Sequence, residues 1–246
     1  MTLEPGKITA ITPTIPPRGL LLGRARASVQ AQIRPADAHV IMVDYEHAGP
    51  GPTRNAAIDR VETEWIAFLD DDDEWLPHHL RALEKQAFWT GADVIYPIGR
   101  YDQMGDDPLQ QSGRPFDPHR LRAGNDIPVT VLARTQAVRD AGGFPDTEHA
   151  PRMGWQSCED WGLWLRMLDN GATFAPLHQV TWLCHTHGGP YGNTSGAPWR
   201  NHHEEREAAA APPREVWEEE LTGITGPKPP EGSSRAASRG KRKRHR

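Results

Sequence analysis

The chain has 246 residues, enough for one α/β domain of ordinary size with a hydrophobic core. Its net charge of -5 argues against nucleic-acid binding by the whole surface, and its two cysteines exclude a disulfide framework. Nowhere does the sequence approach the roughly 18 consecutive apolar residues that span a bilayer, and residues 1–7 lack a secretory signal pattern. These features predict a soluble, cytoplasmic protein.

The first half of the chain alternates between strand-like and helix-like patterns. Strands are predicted at 8–12, 40–43, 65–69 and 93–97, and helices at 20–33, 54–61 and 78–89, with Thr53 as the N-cap of the second helix. This alternation predicts a parallel sheet with helices on its faces. Thr12, Asp44 and Asp70 end three of these strands, so we expect them to converge at one rim of the sheet.

The second half is less regular. Residues 100–126 are polar with no clear period and predict a long loop near the site. A strand at 127–132, a short helix at 134–141, a tight turn at Gly142-Gly143-Phe144, an amphipathic helix at 159–168 and a strand at 180–184 follow. Beyond them, the composition predicts a glycine-rich loop at 188–196, two short terminal helices at 204–221 and a disordered basic tail at 222–246.

The most informative segment is a run of four aspartates, Asp70 to Asp73, that directly follows an apolar strand. Four adjacent carboxylates repel one another, and ordinary folding gives no reason to place them at the end of a buried strand. A hard divalent cation gives such a reason, because it binds oxygen ligands and cancels the repulsion. The alternative is a solvated acidic turn that only caps the following helix.

Six short motifs occur in an order that resembles the family 2 glycosyltransferases of the GT-A fold. They extend over about three quarters of the chain and comprise Ile11-Thr12-Pro13-Thr14, Val43-Asp44, Arg54-Asn55, the acidic segment 68–77, Gly142-Gly143-Phe144 and Glu159-Asp160-Trp161. The resemblance implies an α/β, Rossmann-like single domain with a mostly parallel central sheet and helices on both faces. This domain would span 1–203, with a nucleotide-sugar and metal half at about 1–98 and an acceptor half at 99–203.

The resemblance also implies a donor site. In such enzymes the ends of the first two strands, here Pro13-Thr14 and Asp44, hold the nucleotide base, and a carboxylate that accepts the uracil imide N–H favours a UDP-sugar. Arg54 would face the base or the diphosphate, although a surface helix residue is the alternative reading.

The same resemblance places Mn²⁺ or Mg²⁺ on Asp72, with Asp70 assisting at the metal or the ribose. Asp71 is assigned to the nucleotide-sugar, and Asp71 or Asp73 would exchange roles with these residues if the register slips by one. His185 and His187 are further candidate metal ligands, with a structural role as the alternative.

Glu159-Asp160 matches the acidic pair that opens a helix in this family, where the aspartate is the general base. Asp160 would take the proton of an acceptor hydroxyl as that oxygen attacks the anomeric carbon, which gives inversion in one displacement. Helix capping is the alternative role for Asp160. Trp155 and Trp161 flank this pair and are candidates for stacking on a sugar.

Some features depart from the family pattern and leave alternatives open. Tyr45-Glu46-His47-Ala48 replaces the usual acidic turn after Asp44, and Pro16-Pro17-Arg18 replaces a common Asn-Arg turn, and both departures lie where the family binds the nucleotide base. A non-catalytic nucleotide-sugar-binding module and a metal-dependent nucleotidyltransferase or phosphohydrolase remain as alternatives. The basic tail, residues 235–246, is a candidate contact for an anionic surface or nucleic acid. The acceptor is not encoded in any pattern.

Overall fold

The computed structural model describes residues 6–185 except 103, 147, 154 and 155. The predicted loop at 188–196, the terminal helices at 204–221 and the basic tail at 222–246 lie outside these residues, as do His187 and Trp155. No helix within the described part of the chain is both long and apolar enough to cross a lipid bilayer.

Ten strands and six α-helices, with one short 3-10 turn at Pro16–Arg18, make up the described chain. In chain order they are β1 (Ile8–Thr14), α1 (Gly19–Gln30), β2 (Ala38–Val43), α2 (Pro50–Ile58), β3 (Trp65–Phe68), β4 (Glu74–Trp75), α3 (His79–Thr90), β5 (Val94–Tyr101), β6 (Gly105–Asp106), α4 (Pro118–Ala123), β7 (Leu132–Arg134), α5 (Thr135–Asp140), β8 (Arg152–Met153), β9 (Gln156–Ser157), α6 (Glu159–Asp169) and β10 (Phe174–Cys184).

The central sheet has eight strands, of which seven follow the order β2-β1-β3-β7-β5-β10-β4, and β6 pairs with β5. Strand β1 pairs in parallel with β2 and β3, and β5 pairs in parallel with β10. Strand β7 is antiparallel to both of its neighbours, β3 and β5. The sheet is therefore mixed, with an antiparallel strand inserted between two parallel groups.

The side chains of each central strand alternate between two hydrophobic cores, one on each face of the sheet. Ile66 and Phe68 of β3 pack with residues of α2 and α6. Trp65 and Ala67 of the same strand pack with residues of α1 and α3. The prediction of helices on both faces is confirmed.

Several predicted boundaries are wrong. Strand β1 continues past Thr12, whose hydroxyl lies 2.9 Å from the His39 imidazole, so Thr12 is not at the rim. Helix α2 begins at Pro50 and not after Thr53, because Gly49 adopts a φ of 98° that favours glycine and proline suits the first helical turn.

The later part of the chain also differs from prediction. The 100–126 segment contains the end of β5, strand β6 and helix α4, and is not an unstructured loop. Only residues 132–134 of the predicted 127–132 region form a strand. Strand β10 starts at Phe174 because two register irregularities, between Leu177 and Trp182, let a strand continue through a stretch without apolar alternation.

Candidate functional site

The acidic segment after β3 opens onto a cavity of about 290 Å³ at one rim of the sheet. Asp70, Asp72 and Asp73 line it from one side, and Asp160 lines it from the start of α6. Residues 127–129, which precede β7, form an apolar part of the wall. Segments far apart in sequence therefore place four carboxylates around one cavity.

Asp71 points away from this cavity and is buried. Its two carboxylate oxygens accept hydrogen bonds of 2.6 Å from the Thr14 hydroxyl and from Arg18 Nη1. Burial raises the pKa of Asp71 to about 6, while Arg18 and Thr14 act in the opposite direction. Thr14 and Asp71, both predicted to contact the nucleotide-sugar, thus bind each other, and that predicted role remains untested.

Asp72 and Asp73 are both nearly inaccessible to solvent. Arg18 Nη1 lies 3.4 Å from Asp72 Oδ2. Burial, followed by the charges of Asp72 and Asp70, raises the pKa of Asp73 well above its ordinary value, although the backbone N–H of His185 donates to Asp73 over 3.1 Å. The mutual repulsion of these carboxylates therefore opposes ionisation of Asp73.

This donor set fits a hard divalent cation, since Asp70 and Asp72 offer carboxylate oxygens to the same cavity. The described residues contain no preformed group of three or more metal-ligating side chains. A cation held here would accordingly need oxygens from a bound ligand as well, which is how Mg²⁺ is commonly bound beside phosphates.

Arg54 connects the acidic segment with the start of α6. Its Nη2 lies 2.5 Å from Asp70 Oδ1, and its Nη1 lies 2.7 Å from Glu159 Oε1. The guanidinium also lies 5.2 Å from the ring centroid of Phe144. Arg54 is only 2% exposed, so the alternative reading as a surface residue is wrong. Two carboxylates raise its pKa against the effect of burial.

The next residue, Asn55, holds the predicted glycine turn against α2. Its amide donates to the Phe144 carbonyl and its oxygen accepts from the Phe144 N–H, both over 2.9 Å. Gly143 has a φ of 70°, and a Cβ there would lie 2.5 Å from Asn55 Oδ1. The predicted tight turn is confirmed, and glycine is required for both its conformation and its close approach.

Asp160 lies in the first turn of α6 and faces the cavity. Its Oδ1 accepts from the Trp161 N–H over 2.7 Å, and its Oδ2 accepts from Asn125 Nδ2 over 3.0 Å. Burial and the charge of Glu159 raise the pKa of Asp160 to about 7, against the opposing effects of those hydrogen bonds and of Arg54. A carboxylate with a pKa near neutrality is suited to accept a proton at physiological pH.

Trp161 does not line the cavity. Its side chain is buried, and its indole N–H donates to the Leu121 carbonyl over 2.7 Å. The prediction that it stacks on a sugar is wrong, because this residue packs α6 against α4. Trp155, the second candidate, lies outside the described residues.

The His185 ring is directed at carboxylates other than the aspartates of the cavity. Its Nε2 lies 2.7 Å from Glu74 Oε1 and its Nδ1 lies 3.0 Å from Asp102 Oδ2. This arrangement favours the structural alternative, in which His185, directly after β10, joins that strand to β4 and to the turn at Asp102. Metal binding by His185 remains an untested prediction.

Asp44 and Pro13 lie at or near the ends of β2 and β1, and neither lines the cavity. The two carboxylate oxygens of Asp44 accept from the N–H groups of Ala48 and Gly49, over 2.9 and 2.8 Å. Asp44 therefore fixes the turn that begins α2. Binding of a nucleotide base by Asp44 or Pro13 remains a prediction.

Sequence reasoning missed two residues of the site, Arg18 and Asn125. Arg18 follows Pro16-Pro17, which was visible only as a departure from the family pattern. Asn125 lies in the 100–126 segment, which has no periodicity that would have distinguished it. Neither position is marked by a local signal, because each partner is more than 30 residues away.

Comparison with known proteins gives a consistent family. The protein-family model described as "Glycosyl transferase family 2" matches residues 25–140 of this chain. The succinoglycan biosynthesis protein ExoW of Rhizobium meliloti is 30% identical over 128 residues, covering 37% of this chain and 40% of that protein. The putative teichuronic acid biosynthesis glycosyltransferase TuaG of Bacillus subtilis is 26% identical over 141 residues, covering 55% of this chain and 51% of that protein.

Solved structures show the fold. S. aureus TarS 1-349 in complex with UDP-GlcNAc superposes with a TM-score of 0.61 at 16% identity, covering 87% of this chain and 70% of that one. The complex of the same protein with UDP gives a TM-score of 0.57 at 18% identity, covering 73% of this chain and 60% of that one. The chain therefore has the GT-A fold, and it spans about half or less of the length of the curated relatives named above.

Proposed function

Because a family 2 glycosyltransferase model matches residues 25–140 and the chain has the GT-A fold, we propose that it transfers a sugar from a nucleotide-sugar to an acceptor hydroxyl, with inversion at the anomeric carbon. The observation that carries this proposal is the position of Asp160. Its carboxylate faces the same cavity as Asp70 and Asp72. The cavity therefore has a candidate proton acceptor on one side and candidate metal ligands on the other.

Asp160 is proposed to act as the general base. The acceptor hydroxyl would donate its proton to a carboxylate oxygen of Asp160 while the hydroxyl oxygen forms a bond to the anomeric carbon. The bond between that carbon and the diphosphate oxygen breaks in the same displacement, and the diphosphate leaves with the electron pair. Glu159 would not compete as the base, because it is engaged by Arg54 at 2.7 Å.

Asp72 and Asp70 are proposed to hold Mn²⁺ or Mg²⁺ together with the donor diphosphate. The chemistry that such a cation supplies when bound is stabilisation of the charge on the leaving diphosphate. Arg18 lies 3.4 Å from Asp72 and contributes a fixed positive charge beside the proposed ligands. With leaving-group charge stabilised in this way, no protonated side chain is needed as a general acid.

We propose a UDP-sugar as the donor. Support comes from the structural relative TarS, whose solved structures are described as complexes with UDP and with UDP-GlcNAc. Thr14 and Asp44 remain the residues proposed near the base, and both lie at the ends of neighbouring parallel strands, where such folds bind nucleotides. The sugar and the acceptor are left open.

The decisive experiment is calorimetric titration of UDP into the wild type with Mn²⁺, into the wild type with EDTA, and into Asp72→Ala. We expect binding that requires the metal and is lost in the variant. Arg122→Ala is a matched control, because this arginine forms an exposed ion pair with Asp169 elsewhere on the surface. Metal-independent binding, or equal binding by Asp72→Ala, would contradict the proposed donor site.

A donor-hydrolysis or transfer assay with a panel of UDP-sugars then tests the activity itself. Nucleotide release by the wild type and its loss in Asp160→Asn are expected. If GDP or dTDP binds in the presence of the metal while UDP does not, only the assignment of uracil as the nucleotide base of the donor is wrong.

A further inference from the structure

The amide of Asn125 lies against the carboxylate of Asp160, at the edge of the cavity that both residues line. We propose that Asn125 is a positioning residue that orients the Asp160 carboxylate toward the acceptor side of the cavity. This inference rests on the proposed role of Asp160 as the general base. It concerns a residue that lies outside the six motifs described above.

The hydrogen bonds of Asn125 fix its orientation. Its Nδ2 donates to Asp160 Oδ2 over 3.0 Å, and its Oδ1 accepts from the Ile127 N–H over 3.3 Å. Because the oxygen is engaged by a backbone donor, the nitrogen must face the carboxylate. The Trp161 N–H holds the other carboxylate oxygen over 2.7 Å. Each oxygen of Asp160 thus has one donor and retains accepting capacity for a substrate proton.

The segment that carries Asn125 is anchored to α6 on both sides of that residue. The Trp161 indole N–H donates to the Leu121 carbonyl over 2.7 Å, and the Trp164 indole N–H donates to the Ile127 carbonyl over 3.3 Å. Asp126 adds contacts within the preceding segment, because its carboxylate binds Arg120 and its carbonyl accepts from Gln111. Helix α6 therefore carries Asp160 and also holds the segment that places Asn125 beside it.

A neutral donor suits the charges around Asp160. Glu159 and Arg54 face it from α6 and α2, Tyr101 faces it from β5, and Asp70, Asp72 and Asp73 lie across the cavity. A cation at position 125 would hold Asp160 as an ion pair and reduce its basicity, whereas a second carboxylate would repel it. An amide orients the ionised carboxylate and leaves it able to accept a proton.

The test compares Asn125→Ala and Asn125→Asp with the wild type. Asn125→Asp keeps the size of the side chain and the oxygen that accepts from Ile127, but it replaces the donor with a repelling carboxylate. We expect kcat to fall about 10- to 100-fold in Asn125→Ala and at least as much in Asn125→Asp. The donor KM and the calorimetric affinity for UDP with Mn²⁺ should stay within about twofold of the wild type.

A second measurement does not depend on activity. The pKa of the Asp160 carboxyl, followed by ¹³C NMR of the labelled protein, should rise in Asn125→Ala because a hydrogen bond to the ionised form is lost. Arg120→Met is the matched structural control, since it removes an anchor of the same segment and leaves the Asn125 amide in place. It should leave the pKa of Asp160 unchanged and kcat within about threefold of the wild-type value.

The outcomes separate the two proposals. An unchanged pKa of Asp160 in Asn125→Ala overturns the positioning role, whether or not transfer is detected. A kcat loss in Arg120→Met equal to that in Asn125→Ala also overturns it, because mere loosening of the segment would then explain the effect. A wild type that binds no nucleoside diphosphate and transfers no sugar refutes the proposed function, and the NMR titration still decides the role of Asn125.

Discussion

Replacing Arg54 by methionine is expected to lower the free energy of unfolding by about 3 kcal/mol. Arg54 is 2% exposed and forms ion pairs with Asp70 and Glu159, so the substitution leaves two carboxylates without their counter-charge. Removing one partner of a buried ion pair typically costs about 3–5 kcal/mol. We choose the lower end because the side chains of Asp70 and Glu159 are 30% and 20% exposed and regain some hydration.

Urea denaturation followed by tryptophan fluorescence measures this change, and the chain has nine tryptophans to report it. For a domain of this size, the expected loss corresponds to a fall in Tm of about 6–12 °C. The double variant Arg54→Met/Glu159→Gln should recover part of the free energy of unfolding lost in Arg54→Met, because it removes one of the two uncompensated carboxylates.

Arg122→Met serves as the control for this prediction. Its ion pair with Asp169 joins side chains that are 51% and 60% exposed, and such pairs contribute at most about 1 kcal/mol. If Arg54→Met is no less stable than Arg122→Met, the reasoning that the buried arginine supports the acidic segment and α6 is refuted.

Three further predictions follow from the same geometry. Asp160→Asn should lower kcat by about 10²- to 10⁴-fold in the transfer assay. Wild-type kcat should also fall as the pH drops through about 7, where the Asp160 carboxylate becomes protonated. A flat profile of kcat between pH 6 and 8 would contradict the assignment of Asp160 as the general base. Because the pKa of Asp160 is raised, the folded state binds the proton of this carboxyl group more tightly than the unfolded state does. The stability gained from this proton is therefore complete below about pH 4 and is lost as the pH rises through about 7. Asp160→Asn should therefore be more stable than the wild type at pH 8 in urea titrations, and equal or lower stability would argue against burial of the charge. Gly143→Ala should lower the free energy of unfolding by about 2 kcal/mol or more, because the residue has a φ of 70° and the added Cβ would meet Asn55. Gly142→Ala should lower it by less, because Gly142 has a φ of 77° but open space around the added Cβ. Equal losses of stability in the two variants would exclude the contact with Asn55 as a cause.

The alternation of strands and helices was predictable from the first half of the chain, because each central strand is a short apolar run between helical patterns. The mixed character of the sheet was not, since β7 has only three residues and joins the sheet by antiparallel pairing with β3 and β5. Strand direction depends on where a segment returns in space, and local sequence does not record this.

Within the site, the acidic segment, Arg54 and Asp160 were identifiable because each belongs to a short motif with a distinctive residue type. Their partners were less accessible to sequence reasoning. Asp71 binds Thr14 and Arg18, and Asp160 binds Asn125, across separations of at least 35 residues. Trp161 illustrates the opposite error, because its position beside the Glu159-Asp160 pair suggested ligand binding, whereas its indole N–H binds α4 through the Leu121 carbonyl.

By itself, the sequence determined the order of most elements and the segment where negative charge concentrates, because these depend on local periodicity and on residue type. Only the tertiary structure decided which of the four aspartates face the cavity, which one turns inward to Thr14 and Arg18, and which loop binds Asp160. Those outcomes depend on long-range packing and on the free energy of burying charge, and both are properties of the folded chain as a whole.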